Sequence, residues 1–222
     1  APAADSPGLQ VGTAVVTIDP DVFPFQLRSG PSSHLHDSLH VRAFAFAGGE
    51  GRVAVAVIDA IGYGRERCDR AARLVAEKTG WQPEELLICA THTHSAPKGG
   101  DGSPGRIAYE KKRLAGIVEA LTAAIGSLQP AEVGFARDAE PGEVYNRRWY
   151  MKPGTMDPNP LGGRDRVRTN GPRKHLLKPA GPVDPAVCVV YARTRRRRPL
   201  ALLANYALHY VGGIPKVTEE DG

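Results

Sequence analysis

The sequence predicts an α/β domain: a mixed β-sheet with flanking helices, incomplete at its C-terminal edge. Apolar runs of strand length recur along the chain, and two stretches between them switch to helical spacing, giving the order β-β-β-α-β-α-β and then β-β. At 222 residues, 41% hydrophobic and 24% charged, the chain is long enough for one sizeable core and too apolar for general disorder.

Residues 11–18 (VGTAVVTI) read as a first strand, stopped by the turn signal Asp19-Pro20. After a loop rich in Pro, Ser and His, residues 39–47 alternate as a half-buried strand does. Gly48-Gly49-Glu50-Gly51 turns the chain into residues 52–60 (RVAVAVIDA), apolar on both faces and so expected inside a covered sheet. Over 65–79, Cys68, Ala71, Ala72 and Val75 recur at helical spacing, with Gly80 as the stop. Residues 85–91 (ELLICAT) read as another buried strand. The stretch 106–127 puts Ile107, Leu114, Ile117, Val118, Leu121 and Ile125 on one helical stripe.

Strands are expected again at 131–137, 187–193 and 199–207. The last two flank Arg195–Arg198, which reads as a solvated hairpin turn that deters edge pairing. Residues 151–182 carry prolines at 153, 158, 160, 172, 179 and 182 with almost no periodicity, and read as one long loop. The expected organisation is a flexible segment over 1–10 and a single domain over 11–222. The chain is expected to be cut short, because IPKVTEEDG follows a strand directly.

Net charge is +5, but without the arginine run it falls to +1, too local a footprint for a nucleic-acid face. No apolar stretch approaches the ~20 residues needed to span a bilayer. Cys68, Cys89 and Cys188 sit in apolar or helical patterns and are expected to be buried thiols rather than a disulfide or zinc scaffold. The opening APAADSPG lacks the apolar core of a signal peptide and reads as a flexible start left after cleavage.

The chemistry concentrates at strand ends. Strand 85–91 runs into His92-Thr93-His94-Ser95-Ala96-Pro97. In an extended segment, residues two apart share a face, so His92 and His94 can address one point, and imidazole is the commonest metal ligand. A second apolar strand, LLANYALH, ends in His209, as a metal site assembled from distant segments requires. His34 and His36 are expected to face solvent, whereas His40 could line the pocket. Asp59 closes the central strand and could be a metal ligand or a buried turn carboxylate, but reads best as the acceptor for a ligating histidine's other N–H. By spacing alone, the arginine of Asn146-Arg147-Arg148 reads as a surface side chain in a salt bridge.

CATHTHSAPKGG, together with LHVRAFAF, VAVAVIDA, YNRR, PVDPAVCVV and NYALHY in that order, resembles the N-terminal domain of the neutral/alkaline, non-lysosomal ceramidases. The resemblance runs from about residue 10 to residue 212. It implies a zinc-dependent amidase that cleaves an N-acyl bond, releasing fatty acid from sphingosine in the best-known members. It maps zinc ligands onto His92 and His209, a hydrogen-bonding or polarising role onto His94, and a site arginine onto Arg147, with Asn146 beside it. That family completes its zinc shell with a glutamate and a tyrosine further along the chain, so this stretch alone is expected to be inactive. A small-molecule or lipid amide is the expected substrate, transient membrane-surface contact a further expectation, and a secreted, periplasmic or cell-surface location the expected setting.

Other readings compete with this one. A ceramidase-like domain could act on a non-ceramide amide or an ester, or keep the fold as a binding domain without turnover. The T-H-x-H start also matches metallo-β-lactamase-like hydrolases, but Ala96 and Pro97 stand where that string needs Asp and His.

Overall fold

The computed structural model describes residues 8–27, 30–49, 51–97 and 103–209. The expectations for residues 1–7 and for the stretch after His209 lie outside them. The strands are β1 (Gln10–Thr17), β2 (Phe25–Gln26), β3 (Pro31–Ser32), β4 (His40–Gly48), β5 (Gly51–Ile58) and β6 (Leu86–Ala90), followed by β7 (Gln129–Ala139), β8 (Arg148–Met151), β9 (Val167–Thr169), β10 (Leu176–Pro179), β11 (Ala186–Thr194) and β12 (Pro199–Tyr206). Two α-helices, α1 (Arg65–Thr79) and α2 (Pro104–Gly126), join them. The expected mixed α/β architecture is borne out: the strands form a seven-stranded sheet of order β12-β11-β7-β1-β4-β5-β6 and a three-stranded sheet of order β10-β8-β9.

The described residues divide into two units, one drawn from Ala1–Gly134 and Tyr191–Leu202, the other from Phe135–Val190 and Leu203–Gly222. In the first, β1, β4 and β5 pair antiparallel over their full lengths, while β6 lies parallel to β5. A parallel neighbour requires a crossover, and α1 supplies it between β5 and β6. Gly80, at φ 72°, ends α1 in the left-handed conformation, its N–H donating to the Ala76 carbonyl.

Both helices pack on one sheet face. Val41, Ala43 and Ala45 of β4 and Ala54, Ala56 and Ile58 of β5 meet Ala71 and Val75 of α1 and Ile117, Ala120, Leu121 and Ala124 of α2. The alanines keep that face flat enough for helix backbones to approach, and each fully buried Val, Leu or Ile contributes roughly 1.5–3 kcal/mol. The closest approach is made by two glycines. A Cβ at Gly12 of β1 would overlap the Ala124 carbonyl oxygen of α2, and one at Gly116 of α2 would lie 2.5 Å from Cγ2 of Ile18.

Among the described residues no helix packs on the opposite face, which corrects the expectation of a buried strand for β6 and leaves that for β5 partly met, with Val55 buried. Val15, Val53 and Leu87 are exposed there, and Cys89, expected buried, is exposed beside them on the edge strand β6. The arginine run does form the β11–β12 turn: the Arg197 N–H donates to Thr194 O, and Arg197 adopts φ 62°.

The second unit holds the stretch expected as a loop. Residues 151–182 instead contain most of the antiparallel sheet β10-β8-β9. Strands of three or four residues are too short to show a period of two, and the prolines fall at their ends or between them. Between β8 and β9 the chain turns around Asn159, whose Oδ1 accepts from the N–H groups of Leu161 and Gly163 while Nδ2 donates to Asp165.

The β1–α2 contact can be tested by adding one methyl group. Gly12→Ala is expected to cost at least roughly 1–3 kcal/mol in denaturant unfolding, because the clash is with backbone that no rotamer change relieves. Gly134→Ala, where a Cβ meets nothing within 4 Å, is the control and should be near neutral.

Candidate functional site

The carboxyl ends of β5 and β6 lie side by side, beside the amino end of β4. Pairing continues one residue past β6, with Thr91 N–H donating to Ile58 O at 3.0 Å. The chain then breaks sharply from the sheet, because the next residue, His92, adopts φ 61°. That left-handed conformation is uncommon for a residue with a Cβ and aims the side chain in a direction a continuing strand would not.

A hydrogen bond fixes the imidazole. Nδ1 of His92 lies 2.6 Å from the Ile61 carbonyl oxygen, in the turn after β5. A carbonyl can only accept, so Nδ1 carries the proton, and in the neutral ring Nε2 bears the lone pair. His92 Nε2 lies 3.4 Å from His94 Nε2, with the two rings nearly perpendicular at 80°. Two nitrogens on one tetrahedral ion with 2.0–2.1 Å bonds stand about 3.3–3.4 Å apart, so the pair fits a shared zinc ion as well as an N–H···N hydrogen bond. The donor chemistry and tautomer suit a metal.

His40 and Asp59 share this sheet end. Asp59 Oδ2 accepts from the His40 backbone N–H and from Arg42 Nη1, both at 2.9 Å, and the Asp59 N–H donates to His40 O. Arg42 Nη2 lies 3.3 Å from His40 Nδ1. This cluster pins the end of β4 to the end of β5. For His92 the acceptor is the Ile61 backbone, which no side-chain pattern reveals, and not Asp59, the acceptor expected for a ligating histidine. His34 and His36 are exposed, as expected, and contact Ser33 and Asp37. Burial pushes the Cys68 thiol up, away from the thiolate a cysteine nucleophile needs.

The remaining candidates belong to the second unit. Asn146 is tied to backbone at both ends of its amide: Oδ1 accepts from Arg148 N–H and Nδ2 donates to Pro182 O. It acts there as a turn brace. Arg147 is exposed, and its Nε donates to Asn170 Oδ1 at 3.1 Å while the Asn170 N–H returns a bond to Arg147 O. This double tie to Asn170, at φ 54°, orients the guanidinium. His209 follows β12 by three residues.

No protein-family model matches the sequence, and no curated protein matches it. Solved structures do. The neutral ceramidase from Pseudomonas aeruginosa is similar with a TM-score of 0.62 and 18% identity, over 91% of this chain and 32% of that one. A ceramidase complexed with C2 gives a TM-score of 0.62 and 17% identity, over 91% and 31%. The chain thus spans about a third of the length of these structures. The fold is ceramidase-like. At this identity the similarity shows the fold alone.

The backbone at His92 makes a prediction that needs no metal. Asn tolerates the left-handed region and β-branched residues do not. In metal-free unfolding experiments, His92→Val should therefore be less stable than His92→Asn by roughly 1–3 kcal/mol.

Proposed function

We propose that this chain carries part of a zinc-dependent hydrolase site that cleaves an N-acyl amide bond of a sphingolipid-like substrate. The observation that carries the reading is the imidazole pair at the carboxyl end of a parallel strand, where α/β sheets place their sites, with the His92 tautomer already set for a metal. The ceramidase-like fold supports the substrate class.

His92 and His209 are the proposed zinc ligands, as the ceramidase resemblance implies, with His94 next to His92. Zinc, when bound, supplies Lewis acidity to an amide carbonyl and brings the pKa of a water toward ~7. His94 hydrogen-bonds the attacking or leaving group and carries a proton between them. Arg147, oriented by Asn170, offers its Nη groups to the carbonyl oxygen as negative charge develops, a donor of a kind worth roughly 3–4 kcal/mol. Asn146 braces the turn that presents Arg147. A location outside the cytoplasm and transient contact with a membrane surface belong to the same proposal, since a lipid amide is reached there. Among the described residues no helix is long and apolar enough to cross a membrane.

Zinc uptake and turnover test the reading separately. Competition with a chromogenic chelator should show zinc binding that His92→Ala and His209→Ala each weaken by a factor of ten or more. In the longest natural chain carrying this sequence, chelation should abolish release of fatty acid from an N-acyl sphingosine, and zinc should restore it. Arg147→Lys keeps the charge but loses the fork, so it should cut turnover by about 10²–10³-fold, whereas Arg148→Lys should not. Zinc binding without hydrolysis of any amide or ester would favour a binding domain that keeps the fold. Equal losses at Arg147 and Arg148 would remove Arg147 from the site.

A further inference from the structure

We propose that Arg113 is a positioning residue for His92, acting through the turn that joins β5 to α1. Its part in a metal site rests on the reading of His92 given above, but its effect on the His92 ring does not.

Arg113 lies on α2, and its side chain is only 3% exposed. A guanidinium is costly to bury, and an amphipathic helix has no need of one on its inner face. Nη1 donates to Glu110 Oε1 at 2.7 Å, one helical turn away, which balances the charge. Arg67 Nε lies 3.3 Å from the other Glu110 oxygen, an ion pair without hydrogen-bond geometry. The second Nη reaches the β5–α1 turn, while the buried Nε has no hydrogen-bond partner among the described residues. Nη2 donates to the Gly62 carbonyl at 3.1 Å, and Cζ stands 5.0 Å from the centre of the Tyr63 ring. Arg113 therefore grips two consecutive residues of that turn.

The residue before them is Ile61, whose carbonyl accepts the His92 Nδ1 proton. The bond to Gly62 O holds the peptide unit that directly follows the one containing the Ile61 carbonyl, so only the Gly62 φ and ψ separate the held unit from that carbonyl. Gly62 brings no stiffness of its own, since it has no side chain and a Cβ there would meet nothing within 4 Å. The turn is thus held by Arg113 from α2, while His92, in its left-handed conformation, bonds the Ile61 carbonyl. Outer partners of this kind fix the tautomer and direction of a ligating imidazole.

The test uses the full chain, first without metal. Long-range 1H–15N correlation spectra read the His92 tautomer directly, and the wild type should show Nδ1–H. Arg113→Lys keeps a charge for Glu110 but loses the planar fork, and should give a mixture with Nε2–H. Glu110→Gln leaves the bond to Gly62 in reach, and should lower the melting temperature while keeping Nδ1–H. Should Arg113→Lys not fold, the double variant Arg113→Met/Glu110→Met removes the buried pair without leaving a lone charge, and should give the same mixture. The second readout is zinc alone, which Arg113→Lys should bind about 10–100-fold more weakly while Glu110→Gln stays close to wild type. An unchanged His92 tautomer in a folded Arg113 variant overturns the proposal, as do equal changes in Arg113→Lys and Glu110→Gln. If the wild type binds no zinc, the metal reading fails, and the tautomer comparison still decides the role of Arg113.

Discussion

The parallel pairing of β5 with β6 is the constraint from which the candidate site follows. A hairpin would have sent the chain back across the sheet. A parallel neighbour instead delivers both carboxyl ends to the same edge, with α1 crossing over the alanine-rich face between them. The turn after β5 then lies against the residues after β6, and one backbone carbonyl, that of Ile61, reaches the first histidine. The close seating of α2 on that face, allowed by Gly12 and Gly116, brings Arg113 within reach of the same turn. Core packing and site geometry are two consequences of one arrangement.

Much of this was legible from periodicity. The expected helix over 65–79 is the helix observed, and the strands over 11–18, 39–47, 52–60 and 85–91 appear within about two residues of their expected ends. Long amphipathic elements announce themselves because many residues repeat the same signal. The short strands β8, β9 and β10 do not, and the prolines around them argue against strand where they only mark its ends. The exposure of Val15, Val53 and Leu87 on the second sheet face was also hidden, because such residues read as core whether or not anything packs on them.

The site was legible as donor types and illegible as connections. Two histidines two residues apart after an apolar strand point to a metal, and His92 and His94 do bring their Nε2 atoms together. Asp59 was the reasonable guess for the partner of His92, because carboxylates show in a sequence. The partner is a main-chain oxygen, which every residue has and none displays. The left-handed backbone of His92 leaves no mark either, since nothing in Thr91-His92-Thr93 requires it. Arg113 was hidden inside an apolar helical stripe, where a charged residue reads as the solvent side of the helix. A signal was available: a charged residue four positions before Ile117 and eight before Leu121, both on the buried stripe, lies close to the inner face.

The proposed chemistry requires the imidazoles at this sheet end to form a zinc shell. X-ray absorption at the zinc edge, on protein loaded with one equivalent of zinc, addresses that most directly. The predicted spectrum shows nitrogen neighbours at about 2.0–2.1 Å with the outer-shell scattering of at least two imidazoles, reduced by His92→Ala. A shell without imidazole scattering, or one unchanged in His92→Ala, would contradict it.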